Sequence, residues 1–293
     1  ARVWCCALDD APRPMSLRRT VMGLATVLGL ARKGFFIPYR YAHALPRPGA
    51  RAPYAILGEL LHDHEDDFRT LLDGMVGFIS DLKKISADNP PEPRWNQDWF
   101  PRLDAAAAYT LVRAGRPRHI VEVGSGHSTR FLARAMRDGG IEGRITAIDP
   151  HPRTSLLGIR DLELLRAPVQ DIGLQVFDSL NPGDMLFIDS SHVLMPGSDV
   201  DLLINRALPA LPSGVLVHFH DIFLPDDYPP QWAWRGYNEQ LAVAALLMSK
   251  SYVPVFASHF VTSRMREILS RTSVSRILRL TGAFESSLWL RKV

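Results

Sequence analysis

The stretch HIVEVGSGHSTRFLARAM, residues 119–136, decides the fold. His119 to Val123 form an apolar run of strand length. A Gly-Ser-Gly turn follows at 124–126, and then Phe131, Leu132, Ala135 and Met136 recur at helical spacing. A strand that passes through a glycine turn into a helix prepares the backbone to approach a nucleotide. One residue is unusual for that role: Glu122, an acid inside the apolar run.

Outward from this unit the chain alternates. LDAAAAYTLVRAG (103–115), STRFLARAMRDGG (128–140), DVDLLINRALPAL (199–211) and NEQLAVAALLMS (238–249) have helical spacing. RITAIDP (144–150), GDMLFIDSS (183–191), GVLVHFHDIF (214–223), YVPVFASHF (252–260) and SSLWLRKV (286–293) read as strands, with a less regular stretch before residue 183. Continuous Val/Ile/Leu strands between helices predict an α/β fold with a mostly parallel, doubly wound, Rossmann-like sheet covered on both faces. Residues 16–86 read as helices, and SADNPPEPRWNQDW (86–99) breaks that pattern with three prolines. The expected division is therefore a helical cap segment over 1–94 and the main domain over 95–293. Residues 1–14 are unlike the rest, as a disordered or non-native leader would be, and Met15 is a candidate natural start.

Bulk composition excludes some classes. A net charge of +3 over 293 residues, without a clustered basic face, is no footprint for a nucleic acid. The two cysteines, Cys5 and Cys6, are adjacent and build no disulfide framework, so a reducing, cytoplasmic setting is expected. TVMGLATVLGLA (20–31) is too short to span a bilayer, and no small-residue cleavage site follows it, so a buried or amphipathic helix is the reading. FFIPYRY (35–41) admits two roles, a cover over a pocket or a contact within a homo-oligomer. HDHEDD (62–67) has ligand-type residues, but consecutive helical positions point in different directions, which makes it a solvated face.

In an open α/β sheet the ligand sits beyond the carboxyl ends of the strands, near the switch point. Glu122, Asp149, Asp189, His220 and Asp221 all fall at such ends. The turn Gly124-Ser125-Gly126-His127-Ser128-Thr129 lacks the third glycine of a dinucleotide fingerprint. A carboxylate at 122 repels a pyrophosphate but suits an ammonium or sulfonium ligand, and S-adenosylmethionine carries both. Asp149 can accept from ribose hydroxyls.

VEVGSGHSTRFLARA, ITAIDPHP, DMLFIDSSHV and GVLVHFHDIFLPDDYP together resemble the class I S-adenosylmethionine-dependent methyltransferases, and most closely a bacterial group whose turn reads G-S-G-x-S-T. The resemblance covers roughly residues 95–293. It implies a seven-stranded sheet whose final, antiparallel strand is inserted beside the last parallel one. It implies cofactor contacts from Glu122, Gly124, Ser125, Gly126, Ser128, Asp149 and Asp189, with Gln170 and Asp171 at the adenine edge. The acceptor would be a small molecule or glycoside, methylated on oxygen, with no membrane span needed.

Methyl transfer to a hydroxyl needs alignment and a proton acceptor. His192 and Asp221 are the candidate bases, with His220 beside them. Metal-dependent relatives carry an acid, a basic residue three positions on, and an acid-amide pair at these places. Asp189, His220 and Asp221 thereby become candidate ligands for a divalent ion such as Mg2+, although His-Asp replaces the acid-amide pair. PDDYPPQWAWRGYNEQ (225–240) offers Tyr228, Trp232, Trp234 and Tyr237 as pocket walls, with Arg235, Asn238 and Glu239 as polar contacts. Two other readings share the sheet: a nicotinamide-dependent oxidoreductase, disfavoured by Glu122, and a non-catalytic scaffold.

Overall fold

A computed structural model describes residues 17–85 and 89–293; residues 1–14, with Cys5 and Cys6, lie outside them. The chain divides into two compact units, Ala1–Pro46 and Arg47–Val293. In the first, α1 (Leu17–Val27) is amphipathic and buries no residue. Among the described residues no helix is long and apolar enough to cross a membrane.

The second unit is built on seven strands. They are β1 (His119–Val123), β2 (Arg144–Ile148), β3 (Leu162–Leu165), β4 (Met185–Ile188), β5 (Leu216–Phe219), β6 (Tyr252–Ala257) and β7 (Leu288–Lys292). Their order is β3-β2-β1-β4-β5-β7-β6, with β7 antiparallel to both neighbours and the first five parallel. This is the expected doubly wound sheet, including the inserted last strand. The reversal of strand order lies between β1 and β4, which places the crevice over Gly124 and Asp189. Every residue of β1, β4 and β5 is buried, as a strand covered on both faces requires.

The helices follow the apolar spacing. Helix α2 (Ala55–His62), α3 (Glu65–Gly77) and α4 (Ile79–Leu82) precede the sheet. Phe68, Leu72 and Met75 form the buried stripe of α3, and the Phe68 ring meets Phe256 and Phe260 edge-on, each at 5.9 Å. These helices thus share a compact unit with the sheet; the division falls at 46/47, whereas the prolines near residue 90 suggested 94. Helix α5 (Arg102–Gly115) carries Ala105–Ala108, all fully buried, and so packs closely on α6 (His127–Asp138) and α3.

Three local differences from the sequence reading have physical reasons. The less regular stretch yields the edge strand β3 and the short α7 (Val169–Ile172), because pairing with β2, not periodicity, extends the chain there. DVDLLINRALPAL is interrupted: α8 (Asp199–Leu202) widens into a π turn at Leu203–Ala207 before α9 (Leu208–Ala210), since Pro209 offers no N–H to the preceding turn. YVPVFASHF stops being strand at Ala257, where α10 (Glu239–Met248) has already led into β6 and α11 (Ser258–Arg264) and α12 (Arg266–Arg271) follow.

Asp104, fully buried in α5, accepts from the backbone N–H of Ser286 (3.0 Å) and Ser287 (2.9 Å), fixing where β7 enters the sheet. Asp104→Ala leaves both N–H groups unpaired. Each such group costs about 1–3 kcal/mol, so urea denaturation should show a loss of about 2–6 kcal/mol against the parent.

Candidate active site

The glycine turn is shaped by its neighbours before any ligand is considered. Gly124 has φ +81°, and a Cβ there would lie 2.0 Å from the Asp189 carbonyl oxygen. Only glycine lets β1 and β4 end level at this point. Gly126 N donates to Thr129 Oγ1 (2.9 Å), which caps α6. Asp149, at the end of β2, clamps the turn: its Oδ2 accepts from Ser125 N and Ser125 Oγ (both 2.8 Å), and its Oδ1 from His151 N (2.7 Å). A carboxylate has roughly four acceptor sites, so three are in use.

Glu122 is fully buried under this turn. Ser128 Oγ donates to its Oε1 at 2.6 Å, while Oε2 has no hydrogen-bond partner among the described residues. Burial without a cation pushes the carboxyl up to about 8, with the charges of Asp189 and Asp149 adding to the rise and the Ser128 bond opposing it. Ser128 is therefore spent on Glu122. Gln170 and Asp171 sit exposed on α7, Gln170 Nε2 donating to Gly197 O at 3.4 Å, away from the turn's internal bonds.

At the ends of β4 and β5 the structure gathers a cluster of charges. His192 is buried, with Nδ1 2.8 Å from Glu239 Oε2 and Nε2 3.2 Å from Asp189 Oδ1 and 3.5 Å from Asp221 Oδ2. His220 Nδ1 lies 3.5 Å from Asp189 Oδ1 and 3.4 Å from Asp221 Oδ1, and its Nε2 faces Asp104 Oδ2 at 3.5 Å. Ser286 Oγ donates to Asp221 Oδ1 (3.2 Å). His192 (φ +60°) and Asp221 (φ +56°) both hold left-handed backbone conformations, a strain that concentrates at functional sites.

The environment sets the charge of each group. Burial disfavours a charged His192, but its bonds to Asp189 and Glu239 and the Asp221 charge outweigh burial and hold its proton well above the usual imidazole range. Burial is likewise outweighed at His220 by the charges of Asp221 and Asp189. Asp189 is held well below the usual carboxylate range, because the His220 charge and the His192 bond more than offset burial. His218 shows the opposite outcome. It is buried, stacked on Phe187 at 3.7 Å and bonded to Ser287 Oγ at 2.8 Å, and burial with the neighbouring His220 charge drives it well down, to a neutral ring.

Of the predicted site residues, Asp189, His192, His220 and Asp221 therefore meet, beside the turn that holds Glu122, Gly124, Ser125, Gly126 and Asp149. Asp189, His220 and Asp221 do not fit a divalent ion as they stand. The protonated His192 already lies between Asp189 and Asp221 as their cation, and no group of three or more ligating side chains among the described residues has the arrangement of a metal site. HDHEDD is not one helix face, as the sequence suggested: it spans the turn between α2 and α3, where His62 pairs with Glu65 and His64 with Asp67. Two residues take a different role from the one read in sequence. Asn238 clamps Leu194 through both its backbone groups, and Glu239 holds His192, so neither is an open polar contact. Tyr228 and Trp232 each pack on Phe223 and on Tyr237, with Arg235 over the Trp232 ring, while Trp234 is exposed. Asp104 and Ser286 carried no signal in the sequence, since neither stands near a motif.

Residues 121–222 match the family described as Methyltransferase domain. That stretch of the chain is therefore similar to a methyltransferase domain. The match runs from β1 to the residue after Asp221, and so contains the turn, Asp149, Asp189, His192 and His220. An uncharacterized protein of Archaeoglobus fulgidus is 36% identical over 92 residues, covering 29% of this chain and 41% of that protein, so the likeness spans less than half of the relative's length. Among solved structures, the SAH-bound Podospora anserina methyltransferase PaMTH1 shares 15% identity at a TM-score of 0.41, covering 89% of this chain and 99% of its own. The O-methyltransferase TomG from Streptomyces achromogenes, involved in tomaymycin synthesis and solved in complex with SAM, shares 16% at 0.42, covering 76% and 89%. Values of this size say nothing about the chemistry of this chain.

The Glu122 carboxyl gives a signed prediction. Its folded value near 8 exceeds the usual 4.5, so between those pH values the folded state binds a proton that the unfolded state does not. Stability contributed by this group is full below 4.5 and falls by about 1.4 kcal/mol per pH unit up to about 8. Glu122→Gln removes that fall, so its melting temperature should exceed the parent's at pH 8 and match it at pH 5.

Proposed function

We propose that the protein is an S-adenosylmethionine-dependent methyltransferase acting on a hydroxyl oxygen of a small molecule or glycoside, with Asp221 as the proton acceptor. The observation that carries this reading is the strained pair His192 and Asp221, held with Asp189 at the strand ends beside the glycine turn. Two fixed imidazolium charges favour an oxygen nucleophile that gains negative charge, and repel an ammonium. Both His192 nitrogens face carboxylates, so His192 positions and polarises; it has no lone pair for an acceptor's proton. Asp221 lies between these two rings and accepts a hydrogen bond from Ser286 Oγ.

Glu122 and Asp149 are the residues that would hold the cofactor, which when bound supplies a methyl group on a sulfonium centre. Glu122 Oε2, lacking a partner, fits the cofactor's ammonium group. Asp149 accepts the ribose hydroxyls once Ser125 Oγ turns away from it. Gly124 and Ser125 keep the backbone low at that point, and the aromatic cluster of Tyr228, Trp232 and Tyr237 excludes water from the acceptor side. Asp221 would take the proton of the acceptor's hydroxyl; the methyl carbon would pass to the acceptor oxygen as its bond to sulfur breaks, the electron pair staying on sulfur, which leaves as a neutral thioether. No step needs a metal, and activity is expected to be indifferent to chelator.

Calorimetric titration with S-adenosylhomocysteine tests the cofactor reading without an acceptor. Micromolar binding is expected, with affinity rising between pH 6 and pH 8 as Glu122 gives up its proton; absence of binding would turn the reading toward a scaffold. Asp149→Ala should weaken binding by about 2–4 kcal/mol, the worth of charged hydrogen bonds, whereas Ser125→Ala, which only frees Asp149, should not. With an acceptor in hand, Asp221→Asn should keep S-adenosylhomocysteine affinity and lose about 10²–10⁴-fold in kcat; full activity would place the base elsewhere.

A further inference from the structure

The segment 17–46 is chemically unlike the rest of the chain. Leu17, Val21, Leu24 and Leu28 recur at i, i+4, i+7 and i+11, which places them on one helical face, and they are 80%, 56%, 55% and 66% exposed. Arg18 and Arg19 lie off that stripe. Beyond the helix the apolar surface continues through Phe35, Phe36 and Ile37, all exposed, to Tyr39 and Tyr41, with the Arg40 guanidinium 5.5 Å from the Tyr41 ring centre. Charge separates just as sharply. Residues 17–46 hold five Lys and Arg (Arg18, Arg19, Arg32, Lys33 and Arg40) and no Asp or Glu. Residues 1–16 balance Arg2 and Arg13 against Asp9 and Asp10, so with the whole chain at +3, residues 47–293 are net −2.

We propose that residues 17–41 dock on an anionic lipid surface, α1 lying in the interface with its leucine stripe in the acyl boundary and its arginines among the headgroups. Eleven residues of helix cannot span a bilayer but suffice to lie on one. Phe35, Phe36 and Ile37 extend the apolar insertion, and Tyr39 and Tyr41 have the apolar body and polar tip that suit the headgroup level. Charge selects this occupant over a second copy of the chain. Self-association through the stripe would bring five positive charges against five with no acid between them, whereas anionic headgroups gain with each Lys or Arg. The negative balance of the remaining residues directs the segment, not the methyltransferase domain, toward the lipid.

Flotation of the full chain with phosphatidylcholine vesicles, with and without phosphatidylglycerol, tests this. Binding is expected only with phosphatidylglycerol and should fall steeply as sodium chloride is raised. Leu24→Asp with Phe36→Asp, and separately Arg18→Gln with Arg19→Gln and Lys33→Gln, should each weaken binding by about tenfold or more. These positions lie on the exposed surface, so the melting temperature should stay at the parent's value. Equal recovery with both vesicle types, recovery with neither, or variants that float as the parent does would overturn the proposal. So would a concentration-dependent dimer that the Asp variants dissociate while vesicles bind nothing. S-adenosylhomocysteine binding is read separately and is expected to be the same in all variants.

Discussion

The structure turns on a buried balance of charge. Two imidazolium rings, His192 and His220, sit among Asp104, Asp189, Asp221 and Glu239 at the carboxyl ends of β4 and β5. Ions taken out of water are costly unless their partners are close and well placed, and here every partner comes from a different element. Asp104 arrives on α5, Glu239 on α10, Asp189 after β4 and Asp221 after β5. Removing any one carboxylate strands a cation in the interior, so the cluster constrains how α5, α10 and β7 close over the sheet. The same constraint explains why Asp221 and His192 tolerate a left-handed backbone: their side chains are over-determined by several neighbours.

His218 and His220 show how finely this works. They are two residues apart, both buried, and their rings lie 5.9 Å from one another. One faces Phe187, Trp289 and a serine hydroxyl and is neutral; the other faces carboxylates and is charged. A stretch that reads HFHDIF thus contains a core residue and a site residue with identical side chains. The charged ring in turn holds Asp189 ionised, and Asp189 is the most open carboxylate of the group, its side chain 40% exposed. Fixed positive charge thus lies next to an open carboxylate and the glycine turn.

Glu122 is the complement of this cluster. It lies at β1, buried, with its Oε2 lacking a hydrogen-bond partner among the described residues, whereas the histidine cluster is saturated. The crevice is therefore unbalanced in charge beside β1 and balanced at the ends of β4 and β5.

Much of this was legible in the residues. Local periodicity identified the strand-turn-helix at 119–136, the alternation that makes the sheet parallel, and the acids at the strand ends, because each depends on neighbours within a few positions. The missing third glycine and Glu122 were readable for the same reason: a turn's chemistry is set by its own residues. Strand β3 was not legible, since an edge strand of LELL owes its conformation to pairing with β2, and the helices of 55–82 were placed apart from the sheet because Phe68's contact with Phe256 and Phe260 has no local signature. What only the tertiary structure decided is which charges meet. Asp104 and Glu239 gave no hint of reaching the histidines, and no spacing reveals that His192 keeps its proton while His218 loses it. The protonation of a buried ring is set by the groups that folding brings around it, and those come from positions far apart in the chain.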